Sequence, residues 1–304
     1  MRCCDFFAIA AVAAGAISPA LHAQEGDAVF RTTTRLVVLH ATVAEKNGKL
    51  LTNLPKTAFR VYEDGVEQQL KTFRREDVPV SLGLIIDNSG SMRDKRAKVE
   101  AAALDLVRAS NPQDEVFIVN FNDESYRDVD FTSDIHKLEA GIARIDSTGG
   151  TAMRDAIEAS IRYLKASGKH DKKALVVVTD GNDNMSGVGL EELVADAQQR
   201  DVLIYTIGLL SEEEPSDARK AKKALDTITK ATGGQAFYPE QVDQVHQIAL
   251  EVAHEIRNQY ILAYSPANQA LDGAFRRITV SVKGPGHPVV RTRTGYYAKP
   301  DAQR

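Results

Sequence analysis

Apolar positions along the chain fall into three textures. Through residues 30–73 short runs alternate with turn chemistry: Leu36, Val37, Val38 and Leu39, then Phe59, Val61 and Tyr62, with Asn47-Gly48 between them and Asp64-Gly65 after them. Asn-Gly and Asp-Gly pairs tolerate the positive φ of tight hairpin turns, so this stretch predicts antiparallel strands, with a hairpin from Val61 through Gln68. From about residue 80 to 258 the runs become unbroken, at 82–86, 116–119, 175–178 and 202–207. Runs without period-two alternation suit parallel strands covered on both faces.

Three stripes at helical spacing lie between or after those runs. One is Ile135, Leu138, Ile142 and Ile145; a second is Met153, Ala156, Ile157, Ser160, Ile161 and Leu164; a third is Val242, Val245, Ile248, Ala249, Val252 and Ile256. Each repeats at three and four residues, the period of a helix with one face buried. Residues 126–131 follow 116–121 across a tight link, which predicts an antiparallel edge strand. From 260 to 297 strands return, at 260–264, 277–282 and 289–296, with Pro285-Gly286 turning between the last two.

A βαβ rhythm with strand-rich flanks predicts an α/β fold: a doubly wound, mainly parallel, Rossmann-like sheet with right-handed crossovers. The economical arrangement inserts it in a β-sandwich formed by the N- and C-terminal segments, since chain ends of a domain tend to lie close together. The expected boundaries are 24–78 and 259–304 for the sandwich and 79–258 for the inserted domain. Two independent β-modules of about 45 residues each are the alternative, and modules of that size are marginal without disulfides.

Residues 1–23 have a different character. Arg2 precedes an apolar stretch over 6–17, a breaker at Ser18-Pro19, and Leu21-His22-Ala23. This predicts a secretory signal peptide cleaved after Ala23, and hence an exported protein, periplasmic or secreted. A buried N-terminal helix is the other reading; a stretch of roughly a dozen apolar residues is too short to span a bilayer. Cys3 and Cys4, the chain's 2 cysteines, fall inside this leader, so the mature protein is expected to lack thiolate ligands and disulfides. No other apolar run approaches the length of a membrane span. The net charge of -4, with no basic face, argues against nucleic acid or an acidic membrane as partner.

The chemistry concentrates in three loops rich in small oxygen-bearing residues. The first, after the run 84–86, reads Asp87-Asn88-Ser89-Gly90-Ser91. The second, Ser147-Thr148-Gly149-Gly150-Thr151, stands just before a helical stripe. The third, after 176–178, reads Thr179-Asp180-Gly181-Asn182-Asp183. Ligand sites of open α/β sheets lie beyond the carboxyl ends of the strands, where these loops belong. Taken singly, Asp-x-Ser-x-Ser is an ordinary loop or helix N-cap, and Asp180-Gly181 an ordinary turn.

Together, in this order and at these spacings, the loops resemble the metal-ion-dependent adhesion site of von Willebrand factor A domains, over about residues 79–257. The flanking β-segments, the leader and Val61-Tyr62-Glu63-Asp64-Gly65 resemble, more loosely, a bacterial exported group called VWFA-related proteins. The resemblance implies one divalent cation held by the hydroxyls of Ser89, Ser91 and Thr151, with Asp87 and Asp180 acting directly or through water. Such oxygen donors suit hard cations, Mg²⁺ foremost, with Mn²⁺ or Ca²⁺ as alternatives, rather than Zn²⁺ or Cu²⁺. Two carboxylates only offset the ion's charge, so a carboxylate from a partner protein is the natural further ligand. The expected function is metal-dependent protein binding or adhesion, without catalysis.

Other chemistries fit less well. A phosphatase of the haloacid-dehalogenase type needs a second carboxylate where Ser89 stands. A serine-hydrolase elbow needs glycine where Asp87 stands, and the three-glycine dinucleotide fingerprint is missing. Asp180, Asn182, Asn184 and Glu191 match a calcium-loop spacing, but Met185 occupies its obligatory glycine position. His254-Glu255 lacks the second histidine of a zinc protease, Asn258 standing in its place. No histidine falls in the three loops, and Asp183 and Asp123 are the only carboxylates to suggest as a base. The acidic run Glu212, Glu213 and Glu214 is expected to cap the following helix; a partner-specificity loop is the alternative. A metal-dependent hydrolase with an unidentified base and a purely structural scaffold remain the competing functions.

Overall fold

The computed structural model describes residues 35–300 apart from Glu76, 144–146 and Asn182. The expected leader and Ile145 lie outside the described residues. In β1 (Val37–Ala44) alternate residues Val37, Leu39, Ala41 and Val43 are buried, so one face of the strand makes core. β2 (Phe59–Glu63) and β3 (Val66–Gln68) form the predicted hairpin, with Tyr62 opposite Glu67. Asp64 (φ 49°) and Gly65 (φ 83°) make its turn. Two successive residues at positive φ match the right-handed twist of the paired strands. β4 (Leu70–Arg74) follows.

The α/β region runs β5 (Val80–Asp87), α1 (Arg96–Arg108), β6 (Glu115–Phe121), β7 (Ser125–Thr132), α2 (Ile135–Ile142), α3 (Met153–Ser167), β8 (Lys172–Thr179), α4 (Leu190–Arg200), β9 (Leu203–Gly208), α5 (Pro215–Thr232), β10 (Ala236–Phe237) and α6 (Val245–Arg257). Its sheet has the order β10-β9-β8-β5-β6-β7. Neighbours pair in parallel except β7, which runs antiparallel to β6 at the edge, as its tight link predicted.

The unbroken apolar character of β5 now has its reason. Val80, Leu82, Leu84 and Ile86 pack against α1, α2 and α6, while Ile85 packs against α3 on the other face. Gly83 makes room on that second face: a Cβ there would fall 2.4 Å from the Phe117 ring and 2.5 Å from Leu175. All six positions of the α3 stripe are buried. The α6 stripe starts early, because Val242 belongs to a 3-10 turn ahead of the helix.

β5 leads through α1 to β6 on one side, and the chain later returns as β8 on the other. The strand order therefore reverses at β5, which opens a crevice at the carboxyl ends of β5 and β8.

β11 (Tyr260–Tyr264), β12 (Phe275–Val282), β13 (Val289–Arg291) and β14 (Gly295–Tyr297) complete the strand-rich part. One four-stranded sheet has the order β13-β1-β11-β4 and the other β14-β12-β2-β3, so each mixes strands from before and after the α/β region. Their inner faces share Leu39, Phe59, Val61, Tyr260, Leu262, Tyr264, Ile278 and Tyr296 in one core. This is the sandwich that the two terminal segments were expected to build.

One expectation is corrected here. Residues 289–296 do not form a single strand: β13 pairs with β1 and β14 with β12, in different sheets. The crossing lies at 292–294, where Thr294 N donates to Ala231 O at the end of α5 and Gln198 Nε2 donates to Thr294 Oγ1. Gly233 (φ 91°) accommodates the crossing, since a Cβ there would lie 2.6 Å from Arg293 N.

Candidate metal centre

Asp87 ends β5 and is 1% exposed. Its Oδ1 accepts from Ser89 N at 2.8 Å, and its Oδ2 accepts from Thr179 Oγ1 at 2.6 Å. Asn88 N donates to Phe121 O at the end of β6, which turns the first loop across the sheet edge. A single 3-10 turn, Gly90–Met92, then drives Met92 into the core and brings Ser91 back over the strand ends.

The second loop is stitched to the first. Thr148 N donates to Asn88 O at 3.0 Å, and Gly90 N to Gly149 O at 3.3 Å. Gly149 has φ 81°, and a Cβ on it would lie 2.4 Å from Asp123 Oδ2, so only glycine fits. Asp123 Oδ1 in turn accepts from Gly150 N. Thr151 is buried; its N–H donates to Asn184 Oδ1, and its carbonyl accepts from the N–H groups of Asn184 and Met185.

Asp180 follows β8 and is fully buried. Ser91 Oγ donates to its Oδ1 at 2.9 Å, joining residues 89 apart in sequence. Ser89 Oγ lies 3.2 Å from Ser91 Oγ. The Thr151 hydroxyl stands beside Gly181, 3.6 Å from where a Cβ would be. All five residues singled out in the sequence thus meet at one edge of the sheet, beyond the carboxyl ends of β5 and β8.

One residue escaped the sequence reading. Lys95, at the start of α1, is buried and donates from Nζ to Asp180 Oδ2 at 2.8 Å; Glu212 Oε2 lies 3.3 Å away on the other side. Burial pulls the ammonium's pKa down, but the two carboxylates outweigh it and hold it above its usual value. A basic residue at a helix N-terminus opposes the helix dipole, which was the available signal that a specific acid waits for it.

The two acids of the centre are differently placed. Asp180 has an ammonium on one oxygen. Among the described residues no cation bonds Asp87, whose pKa is pushed up to about 6 by burial, with hydrogen bonds from Thr179 and Ser89 opposing and the nearby Asp180 adding to the rise.

The neighbouring carboxylates have other tasks. Asp183 accepts from Arg154 N and Ser186 Oγ, each at 2.7 Å, and pairs with the Arg154 guanidinium at the start of α3. Asn184 is turned to Thr151 rather than toward a calcium loop, and Asn182 lies outside the described residues. The acidic run does not cap α5 as expected. Glu214 stands at the N-cap without a side-chain hydrogen bond, and Glu212 reaches Lys95 instead.

Two carboxylates and three hydroxyls meet, with neither histidine nor cysteine among them. No group of three or more His, Cys, Asp or Glu side chains able to hold a metal occurs among the described residues. The donor set therefore fits a hard cation that tolerates weak neutral oxygens, and no softer metal. Nor is any helix among the described residues long and apolar enough to cross a membrane.

The horse (Equus caballus) calcium-activated chloride channel regulator 1 is 27% identical over 164 residues, which is 51% of this chain and 16% of that protein. Among solved structures, a von Willebrand factor type A protein from Catenulispora acidiphila matches 87% of this chain and 75% of its own, at a TM-score of 0.52 and 14% identity. The vWF domain of the type V pili tip protein Mfa5 from Porphyromonas gingivalis matches 59% of this chain and 97% of its own, at 0.48 and 14%. At 14% identity the Catenulispora structure bears on the fold alone. The family model for the von Willebrand factor type A domain matches residues 82–251, more than half of the chain. The chain belongs to the von Willebrand factor type A domain family, whose members typically mediate protein–protein adhesion.

Proposed function

We propose that the protein is an exported, metal-dependent protein-binding module without catalytic activity. In this reading Asp87, Ser89, Ser91, Thr151 and Asp180 hold one divalent cation, Mg²⁺ first and Mn²⁺ or Ca²⁺ as alternatives. The observation that carries it is the joining of three distant loops by side-chain oxygens, above all the Ser91–Asp180 hydrogen bond across 89 residues. Such a cluster of inward hydroxyls and buried carboxylates is expensive to assemble unless something offsets the charge of Asp87.

A bound cation supplies Lewis acidity and a coordination position that a carboxylate of a partner protein can take. The chain's own residues do the rest. Thr179 and the Ser89 N–H orient Asp87; Asn184 fixes the backbone of Thr151; Met92 anchors the turn that presents Ser91. Non-enzymatic binding is supported by what surrounds the cluster: no histidine stands among the five residues, Asp183 accepts from Arg154 N and Ser186 Oγ, and Asp123 Oδ1 accepts from Gly150 N.

Calorimetric titration of MgCl₂ into the full chain, with Asp87→Ala as control, tests the site. The expected result is binding by the wild type that the variant loses. Capture of a partner in Mg²⁺ buffer, abolished by EDTA, tests the function; turnover of ester or phosphate substrates by the metal-loaded protein would overturn it.

A further inference from the structure

Lys95 is the one buried cation in contact with the cluster among the described residues. Its side chain is 6% exposed, against 0% for Asp180 and 69% for Glu212. With Ser91 on Oδ1 and Lys95 on Oδ2, both oxygens of Asp180 are engaged, and its charge is matched inside the chain. Counting Lys95, the cluster's two buried carboxylates leave one net negative charge rather than two. The same ammonium ties down the turn Leu210–Glu212, which follows β9 and sits beside the strand ends.

We propose that Lys95 is a built-in counter-cation that sets the divalent-ion affinity of the centre, holding it low so that a bound ion keeps excess positive charge for an incoming carboxylate. This rests on the metal reading above. The physical reason is Coulombic. A buried unit charge close to a dication is screened far less than one in water, so it weakens ion binding strongly, while a partly exposed opposite charge such as Glu212 relieves only part of that effect. Lys95 is thereby a residue that sets affinity and need not touch the ion.

The test is calorimetric titration of MgCl₂ and MnCl₂ into the full chain at low ionic strength, comparing wild type with Lys95→Met, Lys95→Gln and Glu212→Gln, with far-UV circular dichroism as the check of folding. Methionine keeps the unbranched stem and glutamine a donor toward Asp180, and both remove the charge. Either is expected to bind the ions at least tenfold more tightly than wild type. Glu212→Gln, an exposed change that leaves the fold in place, is expected to bind two- to threefold more weakly. Equal or weaker binding by the folded Lys95 variants, or no loss in Glu212→Gln, overturns the role of Lys95. Binding by the Lys95 variants alone, with none by wild type, supports that role and overturns the metal-dependent function. Absence of binding in every protein overturns both.

Discussion

Two buried acids, Asp87 at the sheet edge and Glu255 beneath the sandwich, show two ways for this chain to keep a carboxylate inside. Glu255, on α6, is completed by the protein. Thr42 and Tyr205 hydroxyls donate to its Oε1 at 3.2 and 3.0 Å, and the Arg291 guanidinium pairs with its Oε2. Gln259 adds donors to the same Thr42 and Tyr205 hydroxyls. These partners come from β1, β9 and β13, so the node joins the α/β region to the sandwich. Among the described residues Asp87 receives one hydroxyl and one N–H but no cation. A buried charge closed by its own guanidinium is architecture; one left with donors alone is a place where a cation from outside gains the most.

The sharpest way to break this contrast is to remove the acids in turn. Asp87→Ala is expected to lower Mg²⁺ affinity at least a hundredfold in calorimetry, whereas Glu255→Gln should leave it unchanged. Next in size is a pH effect on the metal-free protein. The Asp87 carboxyl titrates near 3.8 in the unfolded chain and near 6 in the native one. Between those values the native state holds the extra proton, so stability falls as pH rises from about 4 to about 6 and stays lowered above, by about 3 kcal/mol. Thermal unfolding in EDTA across that range should show the fall in wild type, and its absence in Asp87→Asn would be consistent with Asp87 as its source. Glu255→Gln leaves the partly exposed Arg291 without its anion. It should cost about 2 kcal/mol in denaturant unfolding.

The same contrast marks what the sequence could convey. The parallel strands were legible because both their faces are buried, and the α3 stripe because all six of its positions point to core. The loops of the candidate site were legible because their small oxygen-bearing residues sit immediately after β5 and β8 and just before α3. α1 and α4 were not read: Ala102 and Ala103 are two of the five buried positions of α1, and α4 buries Ala197 and the polar Gln198 beside Leu193, so each buried face contrasts weakly with its polar one. The switch of 289–296 between sheets was hidden because its cause is tertiary, the docking of Thr294 on the end of α5. Lys95 and Glu255 stayed invisible for the same reason: a buried charge is recognised by its partners, and those partners are 85 and up to 213 residues away.

The smallest expected effect tests how well Asp87 is held. Thr179 ends β8 one residue before Asp180, and its hydroxyl is the only side-chain donor within 2.6 Å of Asp87 among the described residues. Thr179→Val keeps the shape and removes the donor. The carboxylate then loses the hydrogen bond that opposes the effect of burial, so its pKa should rise further above 6 and the pH-dependent loss of stability should extend to higher pH. The native state should weaken by about 1 kcal/mol. Because the same hydroxyl orients the carboxylate toward the loops, Mg²⁺ affinity should fall about tenfold, well short of the loss in Asp87→Ala. An unchanged pH profile in Thr179→Val would mean that burial alone governs Asp87, and that its orientation comes from the Ser89 N–H and not from the neighbouring strand.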